Sequence, residues 1–160
     1  SSAGDKLGTN KQTAPKGETS EGGVSVAAAV GVNIGVATTT ARVGKGKRIT
    51  SSAGALKVSS VNQTDTSAKA DGSQVDSSNN TDVGVGAAVA LNVGVATTTA
   101  VVADEADVST TGLTISATGV SGEKSDSSAE AKSGAGAGNV GVAGSLAINV
   151  ATNTTVALHG

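Results

Sequence analysis

The sequence predicts an all-β protein of stacked parallel strands, a parallel β-helix or β-solenoid, and three observations lead to that fold class. A 20-residue segment occurs three times, at residues 24–43, 83–102 and 140–159. Each copy alternates β-branched residues with small ones at period two, which is typical of a strand. The 160 residues include no Phe, Tyr, Trp, Met or Cys, so a close-packed interior has to be narrow enough for small side chains to fill. A self-repeating chain with such an interior is typical of coils that stack on one another.

The repeat length follows from an asparagine near the middle of each copy. Asn33, Asn92 and Asn149 correspond, and they are 59 and 57 residues apart. The basic unit of 57 residues divides into three coils of about 19 residues, which suits a three-sided solenoid. Two coils of roughly 28 residues are the alternative.

The two extra residues of the first repeat lie in one loop. Ile49 and Leu56 enclose six residues, whereas Val108 and Leu113 enclose four. Beyond this loop the two repeats are expected to keep the same register, because the remaining spacings to the next long strand are equal.

These spacings predict a single solenoid segment over residues 1–160 that starts and ends in the middle of a repeat. It comprises the trailing coil of a preceding repeat (1–23), repeat 1 (24–82), repeat 2 (83–139) and the first coil of a third repeat (140–160). Solenoids carry polar caps at their ends, and neither end of this sequence resembles one. We therefore expect a segment of a much longer array, or a piece that stacks end to end with other copies.

In each long strand the β-branched residues are expected to face the interior, with a bend or a bulge at the Asn-x-Gly step. The small residues on the other side form a smooth, nearly uncharged face in all three copies, where a solvated sheet face would be polar. This face is a possible packing surface for a neighbouring solenoid, and the alternative is that another segment of the same chain covers it. In repeat 2 it comprises Gly84, Gly86, Ala88, Ala90, Asn92, Gly94, Ala96 and Thr98.

The rest of each repeat is expected to form two shorter, more polar coils. In repeat 1 the loop at 44–48 leads to a short strand in which Leu56 and Val58 face inward, and repeat 2 has the corresponding strand at 113–117. The third coils have little alternation, and alanines are their best inward positions. These alanines are Ala68, Ala70, Ala129 and Ala131.

Charged loops of successive repeats are expected to lie too far apart to interact. Lys45 and Arg48 correspond to Asp104 and Asp107, and three coils at about 4.8 Å separate the two loops by roughly 14 Å. Because the Debye length is about 8 Å, mutual stabilisation should be small. The same spacing predicts that the three asparagines form no continuous ladder and act as bend residues.

Composition and motifs argue against an enzyme, a cofactor and a nucleic-acid partner. The net charge is −2 with 15% charged residues, which leaves no basic surface for a nucleic acid. No run of 18 apolar residues is present to insert into a membrane. His159 is the single histidine, which excludes a His-based triad and a multi-His metal site. The DEAD sequence at 104–107 spells a helicase motif, but no phosphate-binding loop accompanies it.

The recurring segments GVGAAVALNVGVATTTAVV, GSLAINVATNTTVALHG and GLTISA resemble the strand repeats of very large secreted bacterial exoproteins. These are the filamentous-haemagglutinin-like adhesins, the leukotoxin-like exoproteins and the passengers of autotransporters. The resemblance covers nearly all of residues 24–160. It implies a right-handed parallel β-helix, secretion or display at the bacterial cell surface, and a stalk or adhesive role. The family supplies no catalytic residues, and the chain departs from its pattern at Arg42, Val101 and Leu158, where an aromatic residue is expected.

Three functional hypotheses follow from the sequence. The first is a structural or adhesive segment, acting as a rigid stalk or self-associating fibre module, with copies of itself, neighbouring repeats, or a host or solid surface as partners. The second is an ice- or crystal-binding module that uses the threonines at 38–40 and 97–99. Against it stands the expectation that these threonines recur only at every third coil. The third is a functional amyloid.

Overall fold

The computed structural model describes residues 23–73, 83–136 and 139–160, and within these ranges the chain forms nine strands and no helix. Most of the segment expected to be a trailing coil, 1–23, lies outside the described residues. The strands are β1 (Val24–Val43), β2 (Arg48–Thr50), β3 (Leu56–Asn62), β4 (Thr66–Ser73), β5 (Val83–Val102), β6 (Asp107–Ser109), β7 (Leu113–Gly119), β8 (Ser127–Gly134) and β9 (Val140–His159).

Every strand pairs with its counterpart in the next repeat. The long strands form one sheet in the order β1-β5-β9, and the short strands form the pairs β2-β6, β3-β7 and β4-β8. The prediction of three 19-residue coils per repeat is therefore wrong, because a whole repeat separates neighbouring strands. β1 runs without interruption for 20 residues, so the strand does not end at Asn33 or Gly35.

Backbone hydrogen bonds at both ends of the long strands show that they are parallel. The Val83 N–H donates to Gly23 O over 2.9 Å, and the Ala103 N–H donates to Val43 O over 3.0 Å. The residue offset is the same at the two ends, so no bulge interrupts the pairing of β1 with β5. The three short pairs are parallel as well, and the prediction of an all-β, parallel fold is confirmed.

The registers of the short strands confirm one predicted length difference and correct another. Ile49 pairs with Val108 and Leu56 pairs with Leu113, so the two extra residues lie in the loop between these pairs, as predicted. The β4-β8 pair, however, has an offset of 61 residues. Repeat 2 has a longer loop before β8 and a shorter segment after it, and the two differences cancel. The spacing from β3 to β5 equals that from β7 to β9, so the sequence contained no sign that the register of β4 with β8 differs from that of β3 with β7.

The chain packs as two compact units, and each long strand contributes its first twelve residues to the first unit and the rest to the second. The first unit takes the described residues within Ser1–Gly35, Asp65–Gly94 and Asp126–Ala151; the second takes those within Val36–Thr64, Val95–Ser125 and Thr152–Gly160.

Alanine fills the core of the first unit. Ala88 and Ala90 of β5 pack with Ala68 and Ala70 of β4, and all four are almost fully buried. Ala129 and Ala131 of β8 pack against this cluster. The predicted inward alanines of the third coils are confirmed.

The core of the second unit contains larger side chains. Val43 and Val102 of the long strands pack with Val58 of β3, and Leu56 and Ile49 pack against them as partly buried residues. The predicted inward orientation of the two β3 residues is thus confirmed.

The predicted orientation of the long strands in the first unit is wrong. Val24 and Ile34 are 62% and 65% exposed, whereas Ala29 is buried. The cause is the closeness of the backbones: a Cβ atom placed on Gly31 would meet the carbonyl oxygen of Lys69 in β4. β-branched side chains cannot fit into that space, so the small residues face inward. Another segment of the same chain covers the smooth face, which is the alternative that the sequence left open.

Candidate functional site

The eight residues predicted to form an outward packing surface are buried within the chain. Ala90 and Asn92 are 0% exposed, and Thr98 is 5% exposed. The residues in the first unit face β4 and β8, while Ala96 and Thr98 belong to the second unit. The eight residues are Gly84, Gly86, Ala88, Ala90, Asn92, Gly94, Ala96 and Thr98, and the structure buries every one of them.

A column of asparagine side chains crosses the long sheet in the first unit. The Asn33 Nδ2 donates to Asn92 Oδ1 over 2.8 Å, and the Asn92 Nδ2 donates to Asn149 Oδ1 over 2.8 Å. Asn92 also lies within hydrogen-bond distance of Thr66 Oγ1 (3.0 Å) and Ser127 Oγ (2.9 Å). The prediction that these asparagines form no ladder is wrong, because they lie on adjacent strands.

Adjacent strands also bring opposite charges together. Arg48 pairs with Asp107 at 2.7 Å between Nη2 and Oδ2, and Lys45 pairs with Glu105 at 3.2 Å between Nζ and Oε1. The expected separation of about 14 Å was wrong, because it assumed three coils between the loops. All four side chains are more than half exposed, so each pair contributes little to stability.

A third ion pair joins β4 and β8 on their exposed side. Lys69 Nζ lies 2.7 Å from Glu130 Oε2. The hydrogen bond from Lys69 and its positive charge lower the pKa of the Glu130 carboxyl group. The two charged residues alternate with the inward alanines of each strand. The ion pair therefore lies outside the core, between residues that are partners in the β4-β8 register.

The outward side of the long sheet in the first unit is an exposed apolar surface, which we call the valine face. Val30, Val142 and Leu146 are 61%, 57% and 53% exposed, and no residue of the face has a charged or hydrogen-bonding side chain. The Asn column fixes which residues of β9 belong to it. The face consists of Val24, Val26, Ala28, Val30, Val32 and Ile34 of β1, Val83, Val85, Ala87, Val89, Leu91 and Val93 of β5, and Val140, Val142, Gly144, Leu146, Ile148 and Val150 of β9.

The outward side of the long sheet in the second unit carries threonine, and we call these residues the threonine patch. Thr38, Thr97 and Thr154 occupy one row across the three strands, and Thr40 and Thr99 occupy the next row in β1 and β5. The middle threonine of each triplet points the other way, since Thr98 is buried. These threonines therefore recur on adjacent strands, which removes the objection that the sequence raised against an ice-binding surface.

The described residues include no cluster of His, Asp or Glu that could hold a metal ion. They form no helix, and so no helix that is long and apolar enough to cross a membrane. No protein-family model matches the chain, and neither a curated protein nor a solved structure shows significant similarity to it. The candidate site is therefore described by the structure of this chain alone.

Sequence reasoning missed the valine face, although a signal for it was present. β4 and β8 read TSAKADGS and SSAEAKSG, which place small residues at alternate positions: Ala, Ala and Gly in β4, and Ser, Ala, Ala and Ser in β8. Two strands with small residues at alternate positions can approach each other closely only by those sides. Matching the small side of the third coil to the small side of the long strand would have turned the valines outward.

Proposed function

We propose that this chain is a structural segment of a β-solenoid in a secreted or cell-surface bacterial exoprotein, where it acts as a rigid stalk or self-associating fibre module with adhesive use. The observation that supports this proposal is the pairing of repeat upon repeat in all four sheets. The resemblance of the repeats to filamentous-haemagglutinin-like and autotransporter adhesins supports secretion and surface display. Copies of the chain and neighbouring repeats are its natural partners.

Rigidity comes from contacts that each repeat makes with the next. Parallel ladders hold the long strands, β3 with β7, and β4 with β8. The Asn column adds side-chain hydrogen bonds along the same direction. In such a linear array the stability is a sum of repeat and neighbour terms, so length can grow without a larger core.

The proposal is tested by lengthening the chain. Three further copies of residues 83–139, inserted after residue 139, should lengthen the particle by about 14 Å at roughly 4.8 Å per repeat. The cross-section should stay constant, and the melting temperature should rise because interior repeats gain two neighbours. Small-angle X-ray scattering measures both dimensions, and circular dichroism follows melting.

A matched insert with the same composition but a shuffled order is the control, and it should remain unfolded. Growth of the particle in all dimensions would exclude a solenoid. Substantial helix in the circular dichroism spectrum would exclude the fold itself.

We infer a second candidate function, ice or crystal binding, from the threonine patch. Thr38, Thr97 and Thr154 lie on neighbouring strands, about 4.8 Å apart, and alternate residues along a strand are about 6.6 Å apart. An array of hydroxyl and methyl groups with two fixed spacings favours an ordered lattice as the ligand. Thermal hysteresis is the direct measurement.

The variant Thr97→Leu/Thr99→Leu should abolish thermal hysteresis while leaving the fold unchanged, because both side chains lie on the outward side. Thr114→Leu, on the exposed side of β7, is the matched control and should have no effect. If the parent protein shows no hysteresis and no shaping of ice crystals, ice binding is excluded.

A further inference from the structure

We propose that the valine face of one copy packs against the valine face of a second copy, sheet upon sheet, and that this contact is the lateral contact of the fibre. The inference rests on the proposed structural function and names its surface. The valine face takes the place of the packing surface predicted from the sequence, the small-residue side of the long strands, because the chain itself covers that side.

The area of the face is sufficient for a stable contact between two copies. Three strands about 4.8 Å apart and twelve residues at about 3.3 Å each span on the order of 600 Å². That value is at the upper end for an apolar patch on a monomeric protein. Two such faces would bury about 1,200 Å² together, which exceeds the roughly 1,000 Å² expected of a biological interface.

The geometry of the face favours a copy of itself over an unrelated protein. Its side chains form a lattice, with one period set by the strand spacing and the other by alternate residues along a strand. A second valine face has the same two periods, so the side chains of the two sheets can interdigitate over the whole contact. Sheets in β-sandwiches pack in this way, about 10 Å apart with nearly aligned strands.

Charge argues against a membrane as the occupant. Binding to anionic lipid headgroups relies on lysine and arginine beside the apolar surface, and the valine face has neither. The residues of the face carry no formal charge of either sign. Two identical faces can therefore meet without electrostatic repulsion between like charges.

The test measures self-association in variants of the face. Val32 and Ile148 lie at the two sides of one row and are 44% and 42% exposed. The variant Val32→Lys/Ile148→Lys should fold, and its dimerisation should be at least about 100-fold weaker, because the contact would bury charges without partners. Ser128→Lys, on the exposed side of β8, is the control and should associate like the parent. Sedimentation equilibrium measures the dissociation constant, and circular dichroism measures folding.

A second pair of variants tests the geometry independently of charge. The chain has no cysteine, so Val89→Cys places a single thiol on the central strand of the valine face. Oxidation should link this variant into disulfide-bonded dimers, whereas Ser128→Cys should remain mostly unlinked. This test keeps the inference falsifiable if the lysine variant does not fold.

Each outcome decides between the two proposals. A parent chain that stays monomeric at millimolar concentration overturns the valine-face contact, and the lengthened chain can still prove to be a solenoid. A lysine variant that folds and still dimerises places the contact elsewhere and also overturns it. Binding of the parent to lipid vesicles without self-association overturns it in favour of a membrane. Loss of dimers in the lysine variant together with disulfide linkage at Val89→Cys supports it.

Discussion

Ala90 and Val89 are neighbours in β5, yet Ala90 is 0% exposed and Val89 is 38% exposed. Side chains alternate across a strand, so these two residues represent its two sides. In an ordinary antiparallel sheet the more apolar side is buried and the more polar side is solvated. In the first unit the buried side of β5 carries Gly, Ala and Asn, and the exposed side carries Val, Leu and one Ala.

The difference between the two sides shows that the distance between sheets, as well as hydrophobicity, decides which residues are buried. A Cβ atom on Gly86 would meet the carbonyl oxygen of Gly134 in β8, and one on Gly72 would meet that of Ala87. Sheets this close leave room for little more than a methyl group. The larger apolar residues must then face outward, where they are available for a contact with another copy.

The largest effect is expected when charge is placed on the buried side. Ala88→Glu/Ala90→Glu should prevent folding, because each unpaired buried carboxylate costs several kcal/mol. Val89→Glu, between the two, should fold with nearly native circular dichroism. The sequence alone predicted the reverse for these positions. A folded double variant beside an unfolded Val89→Glu variant would restore the original orientation and exclude the structure.

The next largest effect concerns the Asn column. Asn92→Leu keeps the side-chain volume but removes the acceptor of the Asn33 amide, whereas Asn149 keeps its hydrogen bonds to Ser127. We therefore expect a loss of about 1–3 kcal/mol of unfolding free energy. Urea unfolding followed by circular dichroism measures it. Asn153→Leu, on an exposed part of β9, is the matched control and should change stability by less than about 0.5 kcal/mol. Equal losses in the two variants would mean that the column contributes nothing specific.

A single methyl group should distinguish the two sides of the long sheet. Gly86→Ala should destabilise the protein by about 1–3 kcal/mol, because the new Cβ meets backbone of β8 that cannot move aside easily. Gly144 lies on the valine face, where a Cβ atom would have no other atom within 4 Å, so Gly144→Ala should be neutral or slightly stabilising. Melting temperatures of the two variants give the comparison directly, and similar values would contradict the close approach of the sheets.

The smallest effect is a dependence of stability on pH through Glu130. Its pKa is lowered in the folded state, first by the hydrogen bond from Lys69 and then by the lysine charge. A lowered folded pKa means that the contribution is present above the unfolded value of about 4.3 and is lost as the pH falls through the folded value. The dependence below about pH 4.3 should be slight, because the pair is exposed, and Lys69→Gln should reduce it further. Lys57→Gln, on the exposed side of β3, should leave the dependence of stability on acidic pH unchanged.

Much of the fold could be predicted from periodicity. Period two in the long strands, the threefold repeat and the absence of large residues led to an all-β parallel structure, and the inward alanines of β4 and β8 were assigned correctly. These features depend on local geometry, which the sequence determines directly. The start of each long strand, at Val24, Val83 and Val140, coincides with the recurrence of the segment.

One inference about the number of coils caused most of the errors. The length of 57 residues does not say how many strands a repeat contains or which strands are neighbours. The assumption of three coils per repeat placed the loops of Lys45 and Glu105 far apart. It also placed the three asparagines, and the threonines, on strands that are not neighbours. An uninterrupted alternation of 20 residues was the sign against it, because a coil of about 19 residues leaves no residues for its corners.

The orientation of the valines could not be predicted because it depends on a contact between strands distant in sequence. Hydrophobicity by itself placed Val89 and Leu91 inside. Only the approach of β4 and β8 to the long sheet shows that the available space is too shallow for them. The candidate site was therefore missed together with the orientation.

The Asn33 amide donates to Asn92 and the Asn92 amide donates to Asn149, so both hydrogen bonds run in the same sense along the stack. Their dipoles are aligned head to tail, and aligned hydrogen bonds of this kind polarise and strengthen one another. The stack therefore has a direction: a repeat added in the native orientation continues the series, whereas an inverted repeat would oppose donor to donor. A slip of one residue would bring valine or isoleucine against an amide and break the series at once. In this way one asparagine in each long strand fixes both the orientation and the register of strands that otherwise consist mainly of valine, alanine, glycine and threonine.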